Sequence, residues 1–164
     1  MSKHLMIVLG LGLAAAGASA QTTGNIAVTA RVEAVCQVTS TGAMAFGMYN
    51  PMSATAKDTA GSVSVACSQG SMPHMTLDNG AQPSGVQRRM VAGGNYLNYD
   101  VFKPASNAAG AACAYTAPWD TAGLTGTAAP SIAARSYNIC GRIPSGQDVP
   151  QGDYADTVVV NVTF

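Results

Sequence analysis

The fold class predicted by this sequence is all-β, an antiparallel sandwich. Short runs of alternating apolar and polar residues recur along the chain, turn-forming pairs separate them, and no stretch keeps the periodicity of an amphipathic helix. The 18 glycines and 8 prolines among 164 residues supply the breaks. With 48% hydrophobic residues the chain can bury one real core, but it is too short for two ordinary domains. Eight basic residues balance eight acidic ones, so no bulk field recruits nucleic acid or an anionic membrane. A charged fraction of 10% also argues against a disordered tail.

The first twenty residues read as a secretory signal peptide. Lys3 and His4 open it, an apolar run follows from Leu5 to Ala16, and Ala18-Ser19-Ala20 forms a small-residue cleavage site. The run is shorter than the roughly 20 apolar residues that span a bilayer, so no permanent anchor is expected. Gly10-Leu11-Gly12 lacks the strand and crossover unit of a dinucleotide site. The expected division is a leader over 1–20, an amino-terminal strand over 21–33 and one domain over 34–164, with the product exported. Cys36, Cys67, Cys113 and Cys140 would then meet an oxidising compartment and form disulfides. Four cysteines allow three pairings. Cys36–Cys67 with Cys113–Cys140 closes the two shorter, sequential loops and is favoured, each bridge contributing roughly 3–4 kcal/mol.

In chain order, Ile26, Val28, Ala30 and Val32 alternate with Ala27, Thr29, Arg31 and Glu33. Val63 and Val65 alternate with Ser62, Ser64 and Ala66 ahead of Cys67. Met75-Thr76-Leu77 runs into Asp78-Asn79-Gly80, a turn signal. Val86 to Val91 and Tyr96 to Phe102 form two further strands parted by Gly93-Gly94. From Pro104 to Ala134 the Gly and Pro spacing argues against a helix and predicts long loops around a short strand near Trp119. Ser136 to Ile143 is the next strand. In the last, Tyr154, Val158, Val160, Val162 and Phe164 share a face opposite Ala155, Thr157, Val159, Asn161 and Thr163.

Both ends of the mature chain are unusual for a self-contained sandwich. An alternating strand precedes the first cysteine, and the sequence stops at Phe164 in the middle of an apolar face. Ordinary edge strands would read the same way.

The ending from Gln151 to Phe164 resembles the carboxyl signature of the spore coat protein U domain family, which includes subunits of archaic (Csu-type) chaperone–usher pili. Cys36 with Phe46-Gly47-Met48-Tyr49, Val63-Ser64-Val65-Ala66-Cys67, Asp78-Asn79-Gly80, Arg88-Arg89-Met90, Leu97 to Phe102 and Gly141-Arg142-Ile143 follow in family order. The extra pair Cys113 and Cys140 departs from that pattern. The resemblance implies an incomplete immunoglobulin-like sandwich completed by a donated strand. Ile26, Val28, Ala30 and Val32 would be the donated side chains. Tyr154, Val158, Val160, Val162 and Phe164 would edge the acceptor groove. The implied partners are neighbouring copies or related pilus subunits, a periplasmic chaperone and an outer-membrane usher. The implied role is a structural subunit serving surface adhesion and biofilm formation. A non-polymerising coat or matrix protein and a single-domain tip adhesin are the alternatives.

Catalytic chemistry is thin. His74 is the one imidazole after the leader, and a set of Ser71, His74 and Asp78 lacks a nucleophile elbow. Asp153 and Asp156 lack the oxygen-rich loop that Ca²⁺ requires, and Asp156 is expected to accept backbone hydrogen bonds at a turn. Asn161-Val162-Thr163 matches a glycosylation sequon inside a strand. Arg88-Arg89 reads as a solvated strand edge, and Trp119 and Tyr115 read as packing residues rather than a sugar site. No enzyme activity, cofactor, metal or small-molecule substrate is expected.

Replacing Val28 by Asp should block assembly outright, because a charge would be buried without a partner. Polymers of normal length from that variant, on a gel of surface-extracted protein, would contradict the donor assignment.

Overall fold

A computed structural model describes residue 17 and residues 20–164, so most of the leader expectation lies outside the described residues. Two units emerge, residues 1–31 and residues 32–164. In the first, the described residues carry neither helix nor strand, and Ile26 and Val28 are each 89% exposed. The predicted strand over 26–33 therefore does not form in the single chain, where no ladder partner is paired with it.

The second unit is all-β and antiparallel. Its strands are β1 (Cys36–Gly42), β2 (Lys57–Cys67), β3 (His74–Leu77), β4 (Arg88–Ala92), β5 (Asn95–Pro104), β6 (Cys113–Pro118), β7 (Leu124–Thr125), β8 (Arg135–Ile143) and β9 (Val160–Thr163). One sheet has the order β1-β2-β8-β5-β4 with β6 also on β5, and the other the order β7-β3-β9. Among the described residues no helix is long and apolar enough to cross a membrane.

Period-two patterning builds the core. Val63, Val65 and Cys67 on β2, and Leu97, Tyr99 and Val101 on β5, point inward at alternate positions. They pack with Tyr137 and Ile143 of β8 and, from the second sheet, Met75 and Leu124. Between β4 and β5, Ala92 pairs with Asn95 across Gly93-Gly94, both at positive φ. That is the two-residue turn whose twist matches a hairpin, and glycine adopts both of its positive-φ positions at no steric cost.

Both disulfides join the predicted partners, Cys36 to Cys67 and Cys113 to Cys140. On the outer face Asp58 and Arg142 are register partners on β2 and β8 and form a two-pronged ion pair at 2.6 and 2.8 Å. The Arg142 hydrogen bond holds the Asp58 carboxyl below its ordinary range, against the opposing effect of partial burial. Arg142 also lies 4.7 Å over the ring of Tyr115.

Further expectations change. Strand β1 was not predicted, because Cys-Gln-Val-Thr-Ser-Thr-Gly shows almost no apolar alternation. The short strand expected near Trp119 forms as β6, ending one residue before the buried Trp119, and the two-residue β7 is the one element of the 104–134 segment not foreseen. The carboxyl strand is shorter than 154–164: ladder pairing with β3 covers Val160–Thr163, while Ala155 bridges to Val91 of β4 instead. Arg88 is not solvated but 7% exposed, with Nε and Nη2 donating to the Asp78 carbonyl at 2.9 and 2.7 Å.

Replacing Cys113 and Cys140 together by Ala should remove about 3–4 kcal/mol, since the bridge closes a loop of 27-residue separation. Calorimetric unfolding measures this, and an unchanged Tm would contradict it.

Candidate functional site

The residues that carry an unused interaction lie along the seam between β1 and β9. Each is the last strand of its sheet. The two approach within 8 Å, Cα to Cα, yet no ladder bond joins them.

The hydrogen-bond phase decides which backbone groups are left over. Asp78 donates its N–H to the Val159 carbonyl at 3.1 Å. Antiparallel alternation then bonds Asn161 and Thr163 to β3 and turns the N–H and C=O of Val160 and Val162 to the open side. On β1, Ser68 donates to the Val35 carbonyl at 2.8 Å, so Cys36 and Val38 likewise face away from β2. The Cys36–Cys67 Cα separation of 4.1 Å agrees, because it belongs to the narrow, non-hydrogen-bonded pair of an antiparallel ladder.

Side chains follow the same phase. Val158, Val160 and Val162 are half-buried and pack on the core, while Val159, Asn161 and Thr163 point to solvent. Cys36 also packs on the core from the other flank, and Val38 beside it remains 43% exposed. Val160 and Val162 therefore present free backbone groups and half-covered apolar side chains at the same edge. A strand with both is a template for another strand.

The other predicted edge residues are placed differently. Phe164 is 58% exposed beyond the end of β9. Tyr154 stands apart from the valine row and lines an open cleft with Phe46, Tyr49, Met90, Leu97 and Ile143. Its hydroxyl donates to the Pro150 carbonyl at 2.9 Å. Ala30 is exposed and Val32 is 90% exposed.

Where β9 begins, two carboxylates replace missing ladder bonds. Asp78 Oδ1 accepts from the N–H groups of Gly80 and Val159 at 3.0 and 2.9 Å. Asp156 Oδ1 accepts from the N–H groups of Ala81 and Thr157, both at 2.8 Å, and its Oδ2 accepts from the Tyr99 hydroxyl at 2.6 Å. Burial and then the Asp156 hydrogen bond push the Tyr99 phenol well above its ordinary pKa, so it stays a donor. Burial lowers the Arg88 guanidinium, opposed by Tyr99, Asp78 and Asp156. The expected backbone role of Asp156 is thus present. Tyr99 and Arg88 were missed as its neighbours, because alternation marks Tyr99 only as a core residue.

The Ser71, His74 and Asp78 side chains do not converge. His74 Nδ1 bonds Thr125 Oγ1 and Ser71 Oγ bonds Ser68 Oγ, each at 2.8 Å, while Asp78 holds backbone N–H groups. Among the described residues no group of three His, Cys, Asp or Glu side chains could hold a metal.

Comparison with known proteins agrees with this architecture. The family model for the Spore Coat Protein U domain matches residues 22–161. "Protein U" of Myxococcus xanthus is 32% identical over 165 residues, covering 89% of this chain and 87% of that protein. A chain in the crystal structure of the CsuC-CsuE chaperone-tip adhesion subunit pre-assembly complex, from archaic chaperone-usher Csu pili of Acinetobacter baumannii, superposes with a TM-score of 0.58. It is 25% identical over 81% of the present chain, which spans 40% of that chain's length.

Replacing Arg88 by Met should cost about 1–3 kcal/mol by removing both donors from the Asp78 carbonyl. The urea midpoint reads this, and an unchanged midpoint would mean that Arg88 acts as a solvated residue.

Proposed function

The chain belongs to the Spore Coat Protein U domain family, and from that premise we propose that it is a structural, non-catalytic subunit of a chaperone–usher pilus, polymerising by donor-strand exchange. The observation that carries the reading is the coincidence at Val160 and Val162 of unpaired backbone groups and half-covered apolar side chains. An incoming strand would bond there through its backbone and fill the seam with alternate side chains, the physics of β-augmentation.

The amino-terminal segment fits as the donor. Ile26, Val28 and Val32 are apolar and almost wholly exposed in the single chain. From Ile26 to Val32 the segment spans about 20 Å when extended, and Val158 to Phe164 covers the same six steps. Burying each large aliphatic side chain would contribute roughly 1.5–3 kcal/mol. An inserted strand needs about 10 Å between its flanks, so β1 and β9 must part where they now approach within 8 Å. Before assembly a periplasmic chaperone would cover the seam, and an outer-membrane usher would exchange it for the next subunit. The assembled fibre would stand at the cell surface and serve adhesion and biofilm formation.

A second reading is a non-polymerising coat protein. Its support is the extent of the similarity to Protein U, which covers most of both chains.

Gel electrophoresis of surface-extracted protein in SDS separates the two. The pilus reading expects a ladder of multimers that collapses on boiling and is absent when residues 21–33 are deleted. A single monomer band without heating would overturn it in favour of the coat protein.

A further inference from the structure

The acceptor edge has a register problem that its apolar side chains do not solve. A one-residue slip of the carboxyl strand would turn its apolar face outward, so odd slips are excluded. A two-residue slip keeps the face. Val158, Val160 and Val162 are identical and sit at alternate positions, so such a slip puts valine on valine along most of the row. Ladder bonds to β3 span only Val160–Thr163, and the backbone repeats the same pattern every second residue.

Something outside the row must set the phase, and carboxylates beside it do, Asp156 farthest upstream. Asp156 is tied to other elements at two points that do not repeat, the N–H of Ala81 on Oδ1 and the Tyr99 hydroxyl on Oδ2, and its own Oδ1–Thr157 N–H bond sets the carboxylate's orientation. Tyr99 is itself fixed, 2% exposed and edge-on to Phe46 with ring centroids 6.1 Å apart. Gly80 shapes the cradle: at φ +83° it has no side chain, and a Cβ there would collide with the Asp156 carboxylate. Asp78 repeats the device next to the row, holding the N–H of Val159 with its own carboxylate.

We infer that Asp156, held by the Tyr99 hydroxyl, is the positioning residue that fixes the register of the acceptor edge and so decides which pocket each donated side chain enters. This rests on the donor-strand reading above. It assigns Asp156 a part in accepting a strand and none in donating one.

The test uses the full chain carrying Val28→Asp, so that its own segment does not compete. The probe is a synthetic peptide of residues 21–35 with photo-leucine at position 28, and mass spectrometry maps the site of attachment. In this parent, label is expected at one position of the valine row. With Asp156→Asn, or with Tyr99→Phe, which keeps the ring in the core, label should spread to positions two residues away. Peptide dissociation should quicken by about tenfold or more, as fits loss of a charge-assisted hydrogen bond. Label confined to the parental site in both folded variants overturns the inference, even if their Tm falls, because lower stability alone does not move a register. No label on the parent overturns the donor-strand reading and this inference with it.

Discussion

Strand β9 spends only one of its two backbone edges, and the rest of the molecule is arranged around that imbalance. Asn161 and Thr163 are bonded to β3, while Val160 and Val162 turn their amides to a seam whose other side, Cys36 and Val38, is equally unpaired. Soluble β proteins ordinarily blunt an exposed edge with charge, proline or a covering loop. Here the edge carries valine, and the flanking strand is pinned to β2 by a disulfide at its first residue.

Both flanks of the seam are tied down by bonds outside the open edge. The Cys36–Cys67 bridge and the Val35–Ser68 bonds hold the β1 side. On the β9 side two hydrogen-bonded sets do so, Arg88 on the Asp78 carbonyl with the Asp78 carboxylate on Val159, and Tyr99 on the Asp156 carboxylate, with Arg88 and Tyr99 buried. Buried polar groups stabilise only when each finds its partner, and these do. Burial of Tyr99 and Arg88 raises the penalty for breaking these bonds.

How much was legible in the sequence depended on the signal each element left. Strands β2, β5 and β8 were readable because Val63, Val65, Leu97, Tyr99, Val101 and Tyr137 alternate with smaller or more polar residues, the pattern of a strand with one buried face. The glycine pair at 93–94 and the cysteine spacing were equally direct. Strand β1 left no such trace: its outer residues are Ser and Thr, and its place is set by Cys36 and by pairing with β2. The valine row of the candidate site was visible in the alternation, but its division at Asp78 and Asp156 was not. A carboxylate that replaces a ladder carbonyl looks in sequence like any turn-forming aspartate. The segment over 26–33 reads as a strand and is none in the single chain, because alternation records a face that can be buried, not the partner that buries it.

On the donor-strand reading the backbone groups of Cys36, Val38, Val160 and Val162 are unspent in the single chain and become spent on assembly. Amide hydrogen exchange on the monomer and on the assembled fibre measures this directly. Rapid exchange is expected at these four amides in the monomer, beside protected Asn161 and Thr163, and strong protection of all six in the fibre. Protection of Val160 and Val162 already present in the monomer, or unchanged rapid exchange in the fibre, would contradict it.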